Sequence, residues 1–372
     1  MSTPQPRRLE LRRARRLVLA HGWNATAYQI LNPGIARWFG PAPDDPARGS
    51  VVGYVGSAGY RIVAGSPICA PARLGDVVTA FERDARHAGQ RICYFAADDR
   101  LADLLAARGP LDRILLGAQP VWDPHDWPAI VAGKASLRAQ LHRARNKHVT
   151  VAPWSPERAT GHAQLQACLD AWLGTRGLPP LHFLVEPDTL SRLYDRRIFV
   201  AQRGDAVVGF LVASPVPQRH GWLIEQSIRA PTAPNGTSER LVDAAMRALA
   251  ADGARYVTLG LSPLSTRSAI HLPGQPLWIR FVLGWLRAHG RRFYDFDGLD
   301  AYKAKYQPQR WEPIYAITGG HRIGPRTLYA ITGAFGDTPP PRLALRALAR
   351  AMRQELRWLR QRLRAPGQRR RG

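Results

Sequence analysis

The stretch Phe293 to Tyr315 concentrates side chains that can do chemistry: it holds Asp295, Asp297, Asp300, Lys303, Lys305, Trp311 and Glu312, whereas the chain's other lysines are Lys134 and Lys147. Two lysines at this spacing diverge by roughly 200° on a helix and share a face on a strand. On a helix one can reach a phosphate or the end of a nucleic acid while the other pairs elsewhere; the bland outcome is two solvated side chains. Glu225 and Arg229 lie in an alternating apolar run, so at period two Glu225, Ser227 and Arg229 face one side. An acid and an arginine placed this way form an ion pair across a strand or serve as proton acceptor and anchor, and Gln226 can take the acid's place if the register differs. Glu239 follows Asn235-Gly236-Thr237 where a helix begins. A carboxylate there compensates the helix dipole, with Thr237 or Ser238 as cap, or acts in catalysis or in ammonium binding. Ser262 and His271 invite a hydrolase reading, but no Gly-x-Ser-x-Gly elbow surrounds Ser262.

Two similar runs of elements must position these groups. In the first half, residues 51–55 and 61–64 read as hairpin strands, followed by a helix over 75–88, a strand over 91–96, a helix over 99–107 and a strand over 113–120. In the second half, strands over 198–202 and 207–215 flank the tight turn Gly204-Asp205, and 222–228 is a third strand. A helix over 238–251 stops before Gly253, a strand follows over 256–261, then a helix over 277–289 and strands over 292–296 and 314–318. Each half thus contains the order strand-strand-helix-strand-helix-strand, with an extra strand at either end in the second, which implies an α/β class with a mixed α+β sheet. The same order belongs to the Gcn5-related acetyltransferase (GNAT) fold. The expected organisation is a basic N-terminal segment over 1–22, a GNAT-like domain over 23–150, a second, catalytic GNAT-like domain over 151–335, and a basic amphipathic helix and tail over 336–372.

The charge narrows the partners. The chain has 372 residues, 45% of them hydrophobic, and a formal net charge of +25, which attracts nucleic acid, anionic lipid or both. In the basic helix over 136–147, Arg138, His142 and Arg145 share one face, Leu137, Leu141 and Ala144 another, and Lys147 ends it. A last helix over 343–363 places Arg353, Arg357 and further arginines beside a leucine stripe, suited to anionic headgroups or to a tRNA backbone. Cys69, Cys93 and Cys168 form no pair at metal-binding spacing, so neither a zinc site nor a disulfide framework is expected, and a reducing cytoplasm fits. No signal peptide is expected, and no apolar run reaches the ~20 residues of a membrane span. The expectation is a cytoplasmic protein that lies on the inner membrane face without crossing it.

One family matches these segments. Phe296, Gly298, Leu299, Tyr302, Lys303, Lys305, Tyr306, Pro308, Trp311, Glu312, Pro313 and Tyr315 resemble a pattern near the C-terminus of the phosphatidylglycerol lysyltransferases, the catalytic half of the multiple peptide resistance factor. Ala233 to Thr237 with Glu239, Leu259 to Leu264, Gly65-Ser66-Pro67, and Arg138 to Val149 resemble further family segments, so that the likeness covers residues 25 to 330. The resemblance implies transfer of an aminoacyl group from aminoacyl-tRNA to a lipid hydroxyl, phosphatidylglycerol first, with no metal or cofactor; the transmembrane flippase of full-length members is not in this sequence. It implies Glu225, Arg229 and Glu239 as catalytic residues. It implies Asn235, Gly236, Thr237, Ser262, Lys303, Lys305, Trp311 and Glu312 as substrate-binding, although Trp311 and Tyr315 are also natural core residues. For tRNA or lipid it implies Arg138, His142, Arg145, Lys147, Arg353 and Arg357. Two rivals remain: a GNAT-type N-acyltransferase using acyl-CoA, and a non-enzymatic basic RNA- or membrane-binding protein. Against CoA, Ala233-Pro234-Asn235-Gly236-Thr237-Ser238 has one glycine and a proline without an N–H where a pyrophosphate cradle would need donors.

Overall fold

Short runs of β-branched and aromatic residues, each closed by a turn, fold here as the strands of one sheet. The structure, a computed structural model, describes residues 5–175, 182–268 and 295–336. The strands are β1 Ala36–Phe39, β2 Ser50–Ser57, β3 Tyr60–Ala64, β4 Ile68–Cys69, β5 Arg91–Ala97, β6 Leu111–Trp122, β7 Val149–Trp154, β8 Arg197–Arg203, β9 Ala206–Val216, β10 Gly221–Arg229, β11 Tyr256–Thr258, β12 Ser262–Pro263 and β13 Arg310–Gly319. The helices are α1 Gln5–His21, α2 Leu74–His87, α3 Asp99–Ala106, α4 Trp127–Gly133, α5 Ala135–Asn146, α6 Pro156–Ala159, α7 Ala163–Gly174, α8 Thr237–Ala251, α9 Phe296–Ala304 and α10 Pro325–Ala334.

The wiring repeats. β1, β2 and β3 pair antiparallel, α2 crosses over, and β5 joins parallel to β3. β7, β8, β9 and β10 likewise pair antiparallel, α8 crosses over, and β11 joins parallel to β10. This is the tandem, mixed-sheet architecture expected from the order of elements. The two halves merge into one sheet in the order β1-β2-β3-β5-β13-β6-β11-β10-β9-β8-β7, with β4 on β2 and β12 on β6. β13, from the end of the second half, lies between β5 and β6 and pairs antiparallel with both. Residues 150 and 151, where one domain was expected to give way to the next, both lie inside β7.

Three expectations change. The N-terminal segment is a helix built into the fold: Ala14, Leu17 and Val18 are buried, Arg13 and Arg16 pair with Asp44, and Arg15 pairs with Asp195. The dense arginines between those apolar positions hid the stripe. The strand expected over 256–261 stops at Thr258, because the backbone turns at Gly260 with φ +70°. Phe296, expected to end a strand, opens α9, whose N-terminus is capped by the Asp295 carboxylate accepting from the Gly298 amide at 2.9 Å. The helices expected over 277–289 and 343–363, with His271, Arg353 and Arg357, lie outside the described residues.

Candidate active site

The best-built polar site lies where β10 and β11 part. These parallel strands pair only from Gly221–Tyr256 to Leu223–Thr258. On one side β10 bulges at Glu225, between the paired Ile224 and Gln226. On the other, the turn at Gly260 carries the chain off to β12. Divergence leaves the carbonyls of Gly260 and Leu261 without ladder partners, and a buried carbonyl in that state is costly. Lys303 of α9 satisfies both: its Nζ donates to each at 2.8 Å, with the residue only 5% exposed. Burial lowers its pKa to about 7, against a weaker raising influence from Asp300. A neutral amine has two N–H donors. Both are spent on the carbonyls, so the lone pair remains as an acceptor.

Lys305 diverges from Lys303, as two residues on a helix must. It forms a 2.6 Å ion pair with Glu239 in the first turn of α8. Its ammonium also lies 4.0 Å from the centre of the Tyr302 ring and 4.9 Å from that of Tyr306. A carboxylate and two aromatic rings therefore form a box around a cation. Ser227 and Ser238 lie beside the Tyr302 phenol, whose pKa burial raises. The structure thus gathers Ser227, Glu239, Tyr302, Lys303 and Lys305 around α9, and neither lysine of the pair is merely solvated.

Glu225 has a different partner from the one the alternation suggested. The bulge breaks the period of two, and Glu225 pairs with Arg196 at 2.7 Å rather than facing Arg229. Their side chains are 9% and 3% exposed. Arg196 also donates to the Arg192 carbonyl at 2.6 Å, reaches Asn32 Oδ1 at 3.4 Å, and lies over the Tyr28 ring. The pair thereby ties β10 to the first half. Gln226 turns to Thr189 at 2.7 Å and to the Pro187 carbonyl at 2.9 Å. Arg229 ends β10, exposed.

Glu312 lies on β13, paired in register with Gln119 of β6. It accepts two bonds from Arg219, at 2.6 and 2.8 Å, and one from Gln119 at 3.0 Å. Burial pushes its carboxyl up, but the Arg219 bond and charge hold it below the ordinary range. Arg219 in turn lies 3.7 Å from the Tyr256 ring centre and 5.3 Å from that of Trp23. Trp311 is half-buried, with Arg267 over its ring. Arg196, Arg219 and Gln119 carried no sequence signal; Tyr302 did, as a matched motif position.

The loop before α8 packs on α5. Gly236 has φ +92°, and a Cβ there would collide with the Gln140 carbonyl of α5. The Thr237 amide is already spent on the Pro234 carbonyl, which also accepts from the Thr237 hydroxyl. Asn235 is exposed. Ser262 is fully buried, with an Oγ that has no partner among the described residues. On α5 itself Leu137 and Ala144 are buried while Arg138, His142, Arg145 and Lys147 are exposed, the two-faced helix that was expected.

A family model described as phosphatidylglycerol lysyltransferase, C-terminal, matches residues 14–318. Among solved structures, a C-terminal domain assigned to a lysylphosphatidylglycerol synthetase from Agrobacterium fabrum superimposes with a TM-score of 0.73 at 22% identity, covering 89% of this chain and 98% of that one. L-PGS from Bacillus licheniformis gives a TM-score of 0.70 at 18% identity, covering 87% and 95%. A conserved protein of unknown function from Bacteroides thetaiotaomicron gives 0.55 at 14% identity, covering 82% and 96%. No curated protein sequence matches the chain. Among the described residues no helix is long and apolar enough to cross a membrane.

Proposed function

The chain belongs to the phosphatidylglycerol lysyltransferase C-terminal family of aminoacyl transferases, and from that premise we propose that it moves an aminoacyl group from aminoacyl-tRNA to the hydroxyl of phosphatidylglycerol at the cytoplasmic membrane face. The observation that carries the reading is Lys303: a desolvated amine near neutrality, held by two backbone carbonyls at the parting of β10 and β11. In the reaction the lipid oxygen attacks the ester carbonyl carbon and the bond to the tRNA's terminal ribose oxygen breaks. The Lys303 lone pair takes the proton from the attacking hydroxyl and returns it to the departing ribose oxygen, so no net proton is consumed.

The box of Glu239, Tyr302 and Tyr306 suits a second need. It holds the Lys305 ammonium, and it receives the substrate's ammonium by exchange. Arg229, exposed at the end of β10, is free to meet donor phosphate. Glu225 positions β10 through Arg196. For the tRNA, the exposed cations of α5 lie on the helix that packs against the Gly236 loop, within reach of a backbone that approaches the box. That packing also speaks against acyl-CoA, since α5 covers the end of α8 where a pyrophosphate would need free N–H groups.

The test is lipid extraction and mass spectrometry from a bacterium that lacks aminoacylated lipids and expresses the protein. A new lipid heavier by one aminoacyl residue supports the reading and identifies donor and acceptor together. No such lipid, with folded protein present, sinks it, and saturable CoA binding in calorimetry then moves the assignment to an acyl-CoA enzyme.

A further inference from the structure

Lys303 has a carboxylate neighbour whose own pairing is half complete. Asp300 and Lys303 stand one turn apart on α9, on the same side of the helix, with the acid N-terminal to the base. Lys303 lies in the last turn, where the helix dipole favours a cation. One oxygen of Asp300, Oδ2, accepts from Arg267 Nε at 2.6 Å. The other, Oδ1, is buried and has no hydrogen-bond partner among the described residues. Buried polar atoms in that state are uncommon and call for an explanation.

Arg267 is itself held in place. It belongs to the segment that runs on from β12, and β12 packs on α9. Its amide donates to Ser265 Oγ at 3.3 Å, and its guanidinium lies over the Trp311 ring, 5.4 Å from the centre. One stretch of chain thus serves two groups of α9: Gly260 and Leu261 give Lys303 their carbonyls, and Arg267 gives Asp300 a counter-charge. The Asp300 side chain is 16% exposed and that of Arg267 43%, so the acid is the less screened of the two. On the diverging side of α9, Lys305 and Glu239 pair with each other, and β13 presents the uncharged Trp311. Among the described residues, the charge that bears on Lys303 is therefore that of Asp300, with Arg267 behind it.

We infer that Asp300 is a positioning residue for the transfer reaction: its carboxylate stabilises the ammonium that forms when Lys303 takes up a proton, and Arg267, fixed over Trp311, limits that stabilisation so that the resting amine stays neutral. The logic is that of a base supported by a third, acidic group that does not itself take the proton. The proton passes from the attacking hydroxyl to Lys303 and on to the departing ribose oxygen, while Asp300 stays ionised throughout. Without Asp300 the buried ammonium becomes costlier to form; without Arg267 it persists, and no lone pair awaits the hydroxyl. The inference rests on the proposed role of Lys303 and adds to it the groups that set its charge.

The experiment exploits the rarity of lysine. The chain has only Lys134, Lys147, Lys303 and Lys305, so lysine labelled with carbon-13 at Cε resolves each in NMR, and Lys303→Met identifies the Lys303 signal. The full chain is titrated across neutral pH. Asp300→Asn should lower the Lys303 midpoint and Arg267→Gln should raise it, each by about half a pH unit or more. Asp300→Glu should bring the midpoint back toward the wild-type value. The pH profile of lipid transfer should follow. Its rising limb moves to lower pH in Asp300→Asn, with a lower plateau because the amine is a weaker base, and to higher pH in Arg267→Gln. A side chain that only braces α9 would change stability and leave the midpoint in place. An unmoved midpoint in Asp300→Asn overturns the inference, as does a midpoint in Arg267→Gln that stays or falls. The two readings fail separately. Midpoints that move as expected in a protein that makes no aminoacylated lipid remove the activity and keep the hold of Asp300 on Lys303. Lipid transfer whose pH profile ignores Asp300→Asn keeps the activity and removes Asp300 from it.

Discussion

Replacing Lys303 by methionine keeps most of the stem's length and removes the amine. The folded pKa is about 7, against 10.5 for a free lysine side chain. Below pH 7 the ammonium is bound in both folded and unfolded chains, and burial penalises the fold in full. Between the two values the unfolded chain holds a proton that the native state lacks, so stability rises with pH; above 10.5 both are neutral and the rise ends. The slope in that window is at most about 1.4 kcal/mol per pH unit, so from pH 7 to 9 the wild type should gain roughly 2–3 kcal/mol from this group. The variant lacks the gain and leaves the Gly260 and Leu261 carbonyls unpaired, at about 1–3 kcal/mol each. The assay is urea unfolding by circular dichroism at pH 6, 7, 8 and 9. The gap between wild type and Lys303→Met should widen with pH. Parallel curves would refute the depressed pKa, and with it the lone pair proposed as proton acceptor.

Further outcomes test the rest of the site. Glu225→Gln strands the buried Arg196 guanidinium and should cost about 3–5 kcal/mol in chemical denaturation; a variant as stable as its parent but without turnover would return Glu225 to the chemistry. Glu239→Gln and Arg229→Ala should each abolish lipid transfer with an unchanged circular dichroism spectrum, and wild-type activity in both removes them from the site. Substituting Arg138 and Arg145 together by alanine should lower RNA affinity and flatten its logarithmic salt dependence by about 0.7–0.9 for each phosphate no longer neutralised. An unchanged slope moves the RNA to another face.

Local pattern determined much of this protein. Alternation and turn residues place β2, β3, β5, β8, β9 and β10 within a residue or two, and the repeated order of elements reveals the tandem. The motif from Phe296 to Tyr315 points to the segment that carries Lys303 and Lys305. Element type is readable in this way because a strand or helix is set by side-chain periodicity within a few residues. Tertiary structure alone decided the partners. Glu225 finds Arg196 at 29 positions' distance, Lys305 finds Glu239 at 66, and Glu312 finds Arg219 at 93. Nor does periodicity say that β13 inserts between β5 and β6, or that α1 is buried along one stripe. A charge takes whichever counter-ion the fold brings to it. The bulge at Glu225 shows how little that takes: one extra residue in β10 breaks the alternation that had put Glu225 and Arg229 on the same face.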